Sequence, residues 1–197
     1  MRGHRAGFTL VELLVVITVA AILLVIGVPG FRDFILMQRL KGTNAQLVTD
    51  LQFARSEASA RGLWARVAFN NNASMTCYSI YTTPNQNDGT RCDCRLGAGA
   101  ACNGARTEIR TVQVPVGDGV GINVFFDEEN GELAFAYDHV TGRIASIPVD
   151  LNPRDLRRFR IRTSIDADRT LETVVGQSGR VTVCATASAT VGAPPCP

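Results

Sequence analysis

The sequence predicts an α+β fold: one long N-terminal helix, apolar in its first half, packed on an antiparallel β-sheet domain. Three observations predict it. The run from Phe8 to Val28 carries a single charged residue, Glu12. Apolar residues then recur at helical spacing as far as Gly62, and beyond Leu63 they alternate with polar residues as in half-buried strands. The expected divisions are 1–7 as a leader, 8–62 as the helix and 63–197 as one β-rich domain.

The first half of the helix has the length and composition of a membrane span. At about 1.5 Å per residue, residues 8–28 cover roughly the 30 Å of a bilayer's hydrocarbon core. The preceding basic residues Arg2, His4 and Arg5 favour a cytoplasmic N-terminus, which places the C-terminal domain in the periplasm. A cleaved secretory signal peptide is the alternative. It fits poorly, because the apolar run is long, Glu12 interrupts it and no small-residue cleavage site precedes Pro29.

The second half of the helix has the pattern of a helix that packs on a domain. Pro29 predicts a bend. Beyond it, apolar residues fall on one face and polar residues on the others, and Gly62 is placed to end the helix. The apolar positions are Leu40, Leu47, Leu51, Ala54 and Ala58.

Two stretches resemble a known family. Residues 7–12, which read Gly-Phe-Thr-Leu-Val-Glu, resemble the processing signal of type IV pilins and type II secretion pseudopilins. The resemblance implies that a prepilin peptidase cleaves after Gly7 and methylates Phe8. It also implies that Glu12 meets the amino terminus of a neighbouring subunit in the inner membrane during assembly.

The stretch from Leu51 to Gly62 is similar to the FimT/GspH branch of minor pseudopilins, the type II secretion protein H-like group. The turn at Gly142-Arg143 resembles the same branch. This implies a minor pilin or pseudopilin, a structural subunit of a type IV pilus or of a type II secretion pseudopilus. The alternative is a minor pilin that binds DNA during uptake in natural transformation, and the sequence does not decide between secretion and pilus systems.

All six cysteines lie beyond the apolar run, at 77, 92, 94, 102, 184 and 196. An even number outside the cytoplasm predicts disulfides. Cys92 and Cys94 are too close in sequence to bond each other without strain, so Cys77 and Cys102 are their expected partners, in an order left open. Cys196 is expected to join Cys184. No metal site is expected, and the acidic run Asp127-Glu128-Glu129 is interpreted as solvated.

The strands follow a period of two. They are expected at 65–69, 77–81, 109–116, 122–126, 132–137, 143–148, 157–163, 173–175 and 180–184. Asn130-Gly131 predicts a hairpin between 122–126 and 132–137.

The composition gives little support for enzymatic activity. Beyond the leader, His139 is the one histidine, and in a strand the neighbouring Asp138 would point to the opposite face. No phosphate loop, dinucleotide-binding pattern or nucleophile elbow is present. The chain is predicted to be a structural subunit without enzymatic activity and without a cofactor.

Arg158, Arg160 and Arg162 alternate with apolar residues, so in a strand their side chains lie on one face. Arginine on such a face suits successive phosphates of DNA. Arg180 follows Gly179 where the FimT branch carries a Gly-Arg-x-Arg stretch linked to DNA binding, although Thr182 replaces the second arginine. The alternative is a solvated face with acidic partners, for which the candidates are Asp155, Asp166, Asp168 and Glu172.

Overall fold

The computed structural model describes residues 9–84, 89–125, 134–147, 158–186 and 192–196. The chain divides into two compact units, Met1–Leu36 and Met37–Pro197. Helix α1 spans Leu10–Arg61, 52 residues, and runs through both. In the described part of the chain, no single helix is long and apolar enough to cross a membrane. Leu10–Val25 and Gly30–Arg61, which are joined at a bend, are together long and apolar enough to do so, by length and composition. Pro29 lies in that bend, as predicted.

The C-terminus of α1 is closed by a glycine, as the sequence predicts. Gly62 has φ +63°, a conformation that residues with a Cβ rarely adopt. The Leu63 N–H donates to the Ala58 carbonyl at 3.3 Å, the bond that characterises a Schellman cap. The chain therefore turns at once into the first strand.

Within the described residues, nine strands form two antiparallel sheets. The first has the order β3-β2-β1-β5-β6 and the second the order β4-β7-β8-β9. The strands are β1 Trp64–Asn71, β2 Met75–Thr83, β3 Thr107–Pro115, β4 Gly121–Phe125, β5 Ala134–Tyr137, β6 Ile144–Ser146, β7 Arg158–Ser164, β8 Thr170–Gly176 and β9 Val181–Ala185. The predicted α+β class, a long N-terminal helix followed by antiparallel sheets, is confirmed.

The predicted hairpin between 122–126 and 132–137 is wrong. β4 pairs with β7, and β5 pairs with β1 and β6, so the two strands lie in different sheets. The predicted turn at Asn130-Gly131 lies outside the described residues. A turn signal indicates only where a chain can reverse, whereas strand partners are decided by which apolar faces bury each other.

Both sheets share one hydrophobic core with the second half of α1. Leu47, Leu51, Ala54 and Ala58 of the helix are fully buried in it. The two alanines leave room for a sheet to approach the helix. The rings of Phe135 in the first sheet and Phe159 in the second lie 4.5 Å apart between centroids. The remaining members include Val67, Ile80, Tyr137, Ile144, Ile161 and Val175.

A buried carboxylate on α1 forms a hydrogen bond and an ion pair with the first sheet. Asp50 is almost fully buried, accepts a hydrogen bond from the Tyr78 hydroxyl at 2.7 Å and lies 2.9 Å from Arg110 Nη1. Burial, reinforced by the hydrogen bond to Asp50, raises the pKa of Tyr78. Because the folded pKa is raised above the ordinary value of 10.0, the stability contributed by neutral Tyr78 is complete below pH 10 and falls as the pH rises beyond it.

Asp50→Ala is expected to lower the free energy of unfolding by about 2–3 kcal/mol, since it leaves a buried hydroxyl and a cation without their acceptor. Asp118→Ala is the matched control: its pair with Arg39 spans 3.7 Å with both side chains about half exposed, so its loss should change stability by less than about 1 kcal/mol. Chemical unfolding of the full chain in detergent measures both values. Equal effects of the two substitutions would contradict the anchoring role.

Candidate functional site

The N-terminal end of α1 holds the first predicted site. Thr9 caps the helix: its Oγ1 accepts from the Glu12 N–H at 3.3 Å, and its carbonyl accepts from the Leu13 N–H at 3.2 Å. Glu12 therefore lies on the first helical turn, with its side chain exposed. Gly7 and Phe8, the predicted processing residues, lie outside the described residues.

The helix that follows Glu12 exposes apolar side chains on every side. Large apolar residues with more than half of their surface exposed occupy most positions as far as Val25, and among them are Leu10, Val11, Leu13, Ile17, Ile22, Leu24 and Val25. An apolar surface this continuous is typical of a segment that contacts lipid or other protein chains.

The three strand arginines lie on the outer face of the second sheet, as their alternation predicts. Phe159 and Ile161 between them are fully buried. Glu172, whose side chain is 6% exposed, lies opposite on β8, with Oε1 at 3.4 Å from Arg160 Nε and Oε2 at 3.8 Å from Arg162 Nη2. A buried carboxylate thus offsets part of the positive charge of this face.

Two of the other acids considered as partners of these arginines, Asp166 and Asp168, lie in the turn between β7 and β8. Asp166 instead pairs with Arg169 at 2.6 Å, and hydrogen bonds from Arg169 lower the pKa of this carboxyl. Asp166 also accepts a hydrogen bond from the Asp168 N–H. Asp155 lies outside the described residues.

Arg180 lies apart from this strand, on the turn between β8 and β9, where that turn meets the helix and the other sheet. Gly142 and Gly179 have φ of +66° and +77°. A Cβ on Gly179 would lie 2.1 Å from the Gly142 carbonyl oxygen, and one on Gly142 would lie 2.9 Å from Arg55 Nε. The Ile144 N–H donates to the Gln177 carbonyl at 3.1 Å across the same contact. Position 179 therefore has no room for a Cβ, and at position 142 the left-handed backbone favours glycine.

A polar cleft of about 470 Å³ opens beside this contact. The helix contributes Gln52, Arg55, Ser56 and Ser59 to its lining, and the β8–β9 turn contributes Gly179, Arg180 and Val181. Its charged lining consists of the two arginines. Within the described residues, neither arginine side chain has an acidic partner.

Three disulfides use all six cysteines: Cys77–Cys94, Cys92–Cys102 and Cys184–Cys196. The first two resolve the order that the sequence left open. They hold the loop after β2 on the outer face of the first sheet, where Cys92 and Ala101 pack with Ala68 and Tyr81. The third joins β9 to the C-terminal segment, the pairing expected from the sequence.

Among known protein families, one matches the N-terminal segment of the chain. Residues 2–28 match the prokaryotic N-terminal methylation motif. The motif indicates a type IV pilin-like protein, processed by a prepilin peptidase and assembled with other pilins. No curated protein and no solved structure matches the chain.

The methylation motif suggests a structural subunit rather than an enzyme. The expected separation of Asp138 and His139 is nevertheless wrong. The two residues follow β5 in a turn instead of continuing the strand, and His139 Nδ1 lies 3.8 Å from Asp138 Oδ1. Burial alone would raise the pKa of the Asp138 carboxyl, but hydrogen bonds donated by the Val140 N–H and the Thr141 hydroxyl in that turn lower it below its usual value. In the described ranges, no cluster of three or more His, Cys, Asp or Glu residues could hold a metal ion.

The cleft and the position of Arg55 were not predicted from the sequence. Arg55 is one of the polar residues of the second half of the helix, and its guanidinium lies against the backbones of Gly142 and Gly179. The sequence signal that could have indicated this contact lies in the residues on which the family resemblance rests. Ala54-Arg55, Gly142-Arg143 and Gly179-Arg180 are far apart in sequence, and the fold brings all three together.

Proposed function

We propose that this chain is a minor pilin or pseudopilin, a structural subunit of a type IV pilus or of a type II secretion pseudopilus. The observation that carries the proposal is the methylation motif at residues 2–28, followed by a helix with exposed apolar side chains that continues into a folded β-sheet domain. Prepilin peptidase, the inner membrane and other pilins are the partners of such a subunit.

The proposed mechanism depends on Glu12 and the new amino terminus at Phe8. A carboxylate in an apolar environment is unfavourable by about 2.5–3.5 kcal/mol or more unless it is paired. The ammonium of Phe8 on the next subunit supplies the pair. Because one subunit's Glu12 meets another's Phe8, the contact is head-to-tail and propagates into an open filament, with the ion pair fixing the axial register.

Membership of the FimT/GspH branch is part of the proposal. It is supported by the sequence resemblance at Leu51–Gly62 and at Gly142-Arg143, and Arg55, Gly142 and Gly179 meet in one close contact. In this role the β-sheet domain determines which neighbouring subunits the chain meets.

Cross-linking in the native host tests the filament role. A photo-reactive residue in place of the exposed Val15 of α1 should produce adducts with other subunits that carry the methylation motif. The same residue in place of Leu96, on the disulfide-stapled loop, is the exposed control and should give fewer adducts of that kind. Adducts with lipid alone from position 15, under conditions in which filaments assemble, would contradict the proposal.

DNA is a second candidate partner, favoured by the common face of Arg158, Arg160 and Arg162 and by the exposed Arg180. Glu172 weakens this candidate because it holds two of the guanidiniums within 4 Å. If the face binds DNA, affinity for duplex should fall steeply with salt.

Replacing the three strand arginines with glutamine should then reduce the slope of log affinity against log salt by about 2 units, fewer than three because Glu172 already neutralises one charge. A triple glutamine variant at Arg39, Arg61 and Arg95, each of which has an acidic partner, is the matched control. Gel-shift titrations at several salt concentrations measure both slopes. Equal slopes for the two variants would discard the DNA candidate.

A further inference from the structure

We propose that the disulfides Cys77–Cys94 and Cys92–Cys102, which hold the stapled loop of residues 90–106, are reached by disulfide exchange, so that the chain is a substrate of a thiol–disulfide isomerase. The proposal rests on the proposed function, because it requires that the β-sheet domain is exported to an oxidising compartment. Two observations carry it. The two pairs overlap along the chain, and the residues that hold the cysteines in place lie beyond the last of the four.

The native pairs overlap along the chain. Cys92 lies between Cys77 and Cys94, and Cys94 lies between Cys92 and Cys102. Pairing of neighbours in sequence would instead join Cys77 to Cys92 and Cys94 to Cys102. Each of these loops is two residues shorter than its native counterpart. Loop-closure entropy therefore gives the native pairing no advantage in the unfolded chain.

Gln113 on β3 places Cys94 beside Cys77. Gln113 is the cross-strand partner of Cys77 in the ladder between β2 and β3, so the two side chains lie on the same face of the sheet. Gln113 Nε2 donates to the Cys94 carbonyl at 2.8 Å and to the Arg95 carbonyl at 3.3 Å. The amide thus holds the backbone of Cys94 next to the residue to which Cys94 is bonded.

Glu108 on β3 has the same role for the second pair. Its carboxylate accepts from the N–H groups of Gly99 and Ala101 at 2.9 Å and 3.2 Å, which fixes the backbone that leads into Cys102. Ala101 packs in one hydrophobic cluster with Cys92, the partner of Cys102. Glu108 and Gln113 are therefore the two template residues of the native pairing.

Both template residues follow Cys102 in the chain, so their contacts with the loop form only after β3 has paired with β2. In the proposed pathway a dithiol oxidase acts on the cysteines before that stage, and each pair of thiols gives two electrons and two protons to the disulfide of the oxidase. Without the template, Cys77 bonds to Cys92 at least as often as to Cys94, since the shorter loop closes slightly more readily.

Exchange then converts the neighbour pairing into the native pairing without net oxidation. The isomerase thiolate attacks Cys92 Sγ, forms a mixed disulfide and releases the Cys77 thiolate. Cys77 attacks Cys94 Sγ and releases the Cys102 thiolate, which attacks Cys92 Sγ in the mixed disulfide. The isomerase leaves as a thiolate, and both native bonds are in place.

The native pairing ends the exchange because folding buries it. The exposed fractions of Cys77, Cys92 and Cys94 are 1%, 4% and 0% in the folded domain. Since exchange requires that a thiolate reaches a disulfide sulfur, these bonds are protected once the loop has closed over the sheet. Neighbour pairing leaves the loop unable to close, so its sulfurs stay accessible to the isomerase.

The test follows the disulfide connectivity of the full chain in cells. The chain is produced in a bacterium that exports it and retains its dithiol oxidase, with the disulfide isomerase present or deleted, and thiols are blocked on extraction from membranes. Cleavage on the N-terminal side of aspartates, at Asp88 and Asp93, separates Cys92 from Cys94. The native pairing then links three peptides, whereas neighbour pairing leaves the peptide 93–117 with an internal bond only.

Without the isomerase, at least about half of the chains should carry the neighbour pairing, and the isomerase should remove most of it. Cys184–Cys196 joins neighbours in sequence and is the internal control, which should form equally in both strains. Equal native connectivity in both strains, with Cys184–Cys196 formed, would overturn the proposal alone. Absence of all three bonds would contradict export of the domain, and with it the proposed function.

Gln113→Ala tests the template in the strain that has the isomerase. The ratio of native to neighbour pairing should fall about fivefold, the effect of one hydrogen bond. Gln46→Ala, at an exposed position of α1, is the matched control and should leave the ratio unchanged. Gln113→Lys, which keeps a donor, should retain the native pairing. A lower Tm of Gln113→Ala with unchanged connectivity would show that Gln113 only supports the loop, and would overturn the template.

Discussion

Glu12→Ala is expected to reduce incorporation of this chain into filaments at least about tenfold while leaving its insertion into the membrane intact. Removing a carboxylate makes the helix less costly to place in lipid, by about 2.5 kcal/mol or more. In the proposed filament the neighbour's Phe8 ammonium would then have no counter-charge, and an unpaired buried charge is strongly unfavourable. The amount of the chain in sheared filaments, compared with the amount in membranes, gives the effect.

Thr18→Val is the matched control for Glu12→Ala. It also removes a polar group from the same exposed stretch of helix, but the Thr18 hydroxyl bonds only to its own helix, to the carbonyls of Leu14 and Val15. It should therefore incorporate normally. Normal incorporation of Glu12→Ala would show that the carboxylate does not set the register.

Gly179→Ala is expected to destabilise the β-sheet domain by about 3 kcal/mol or more, a large share of the roughly 5–15 kcal/mol that typically stabilises a domain. The left-handed backbone itself disfavours alanine by about 1–2 kcal/mol. The added Cβ would also lie 2.1 Å from the Gly142 carbonyl oxygen, so the contact between the two turns must open. Loss of that contact should also expose Arg55.

Gly99→Ala separates the cost of the left-handed backbone from the cost of the steric contact. Gly99 has φ +81°, and a methyl group added there would have nothing within 4 Å, so alanine meets only the backbone cost of about 1–2 kcal/mol. Thermal unfolding of both variants, followed by near-ultraviolet circular dichroism, measures the difference. Equal shifts in Tm would mean that the contact between Gly142 and Gly179 does not support the domain.

The periodic parts of the chain were predictable from its sequence. Gly62 was placed at the end of α1 because helix C-termini favour a left-handed residue, and the alternation of Arg158 to Arg162 gave the face of β7 directly. These features depend on neighbours in sequence, where one residue's geometry determines the next.

Features that depend on distant partners were not predictable. Asn130-Gly131 indicated a hairpin, but β4 and β5 found their partners in different sheets. The order of the cysteine pairs was set by the loop folding over the first sheet. Arg55 gave no sign of its role, because that role exists only once Gly142 and Gly179 lie against it.

The central claim is that the chain is processed as a type IV pilin-like subunit, and the mass of its mature N-terminus tests that claim most directly. Mass spectrometry of the protein extracted from membranes of the native host should show a chain that begins at Phe8 with a methylated amino group. A mature chain that retains Met1, or one cleaved near residue 30, would contradict the account.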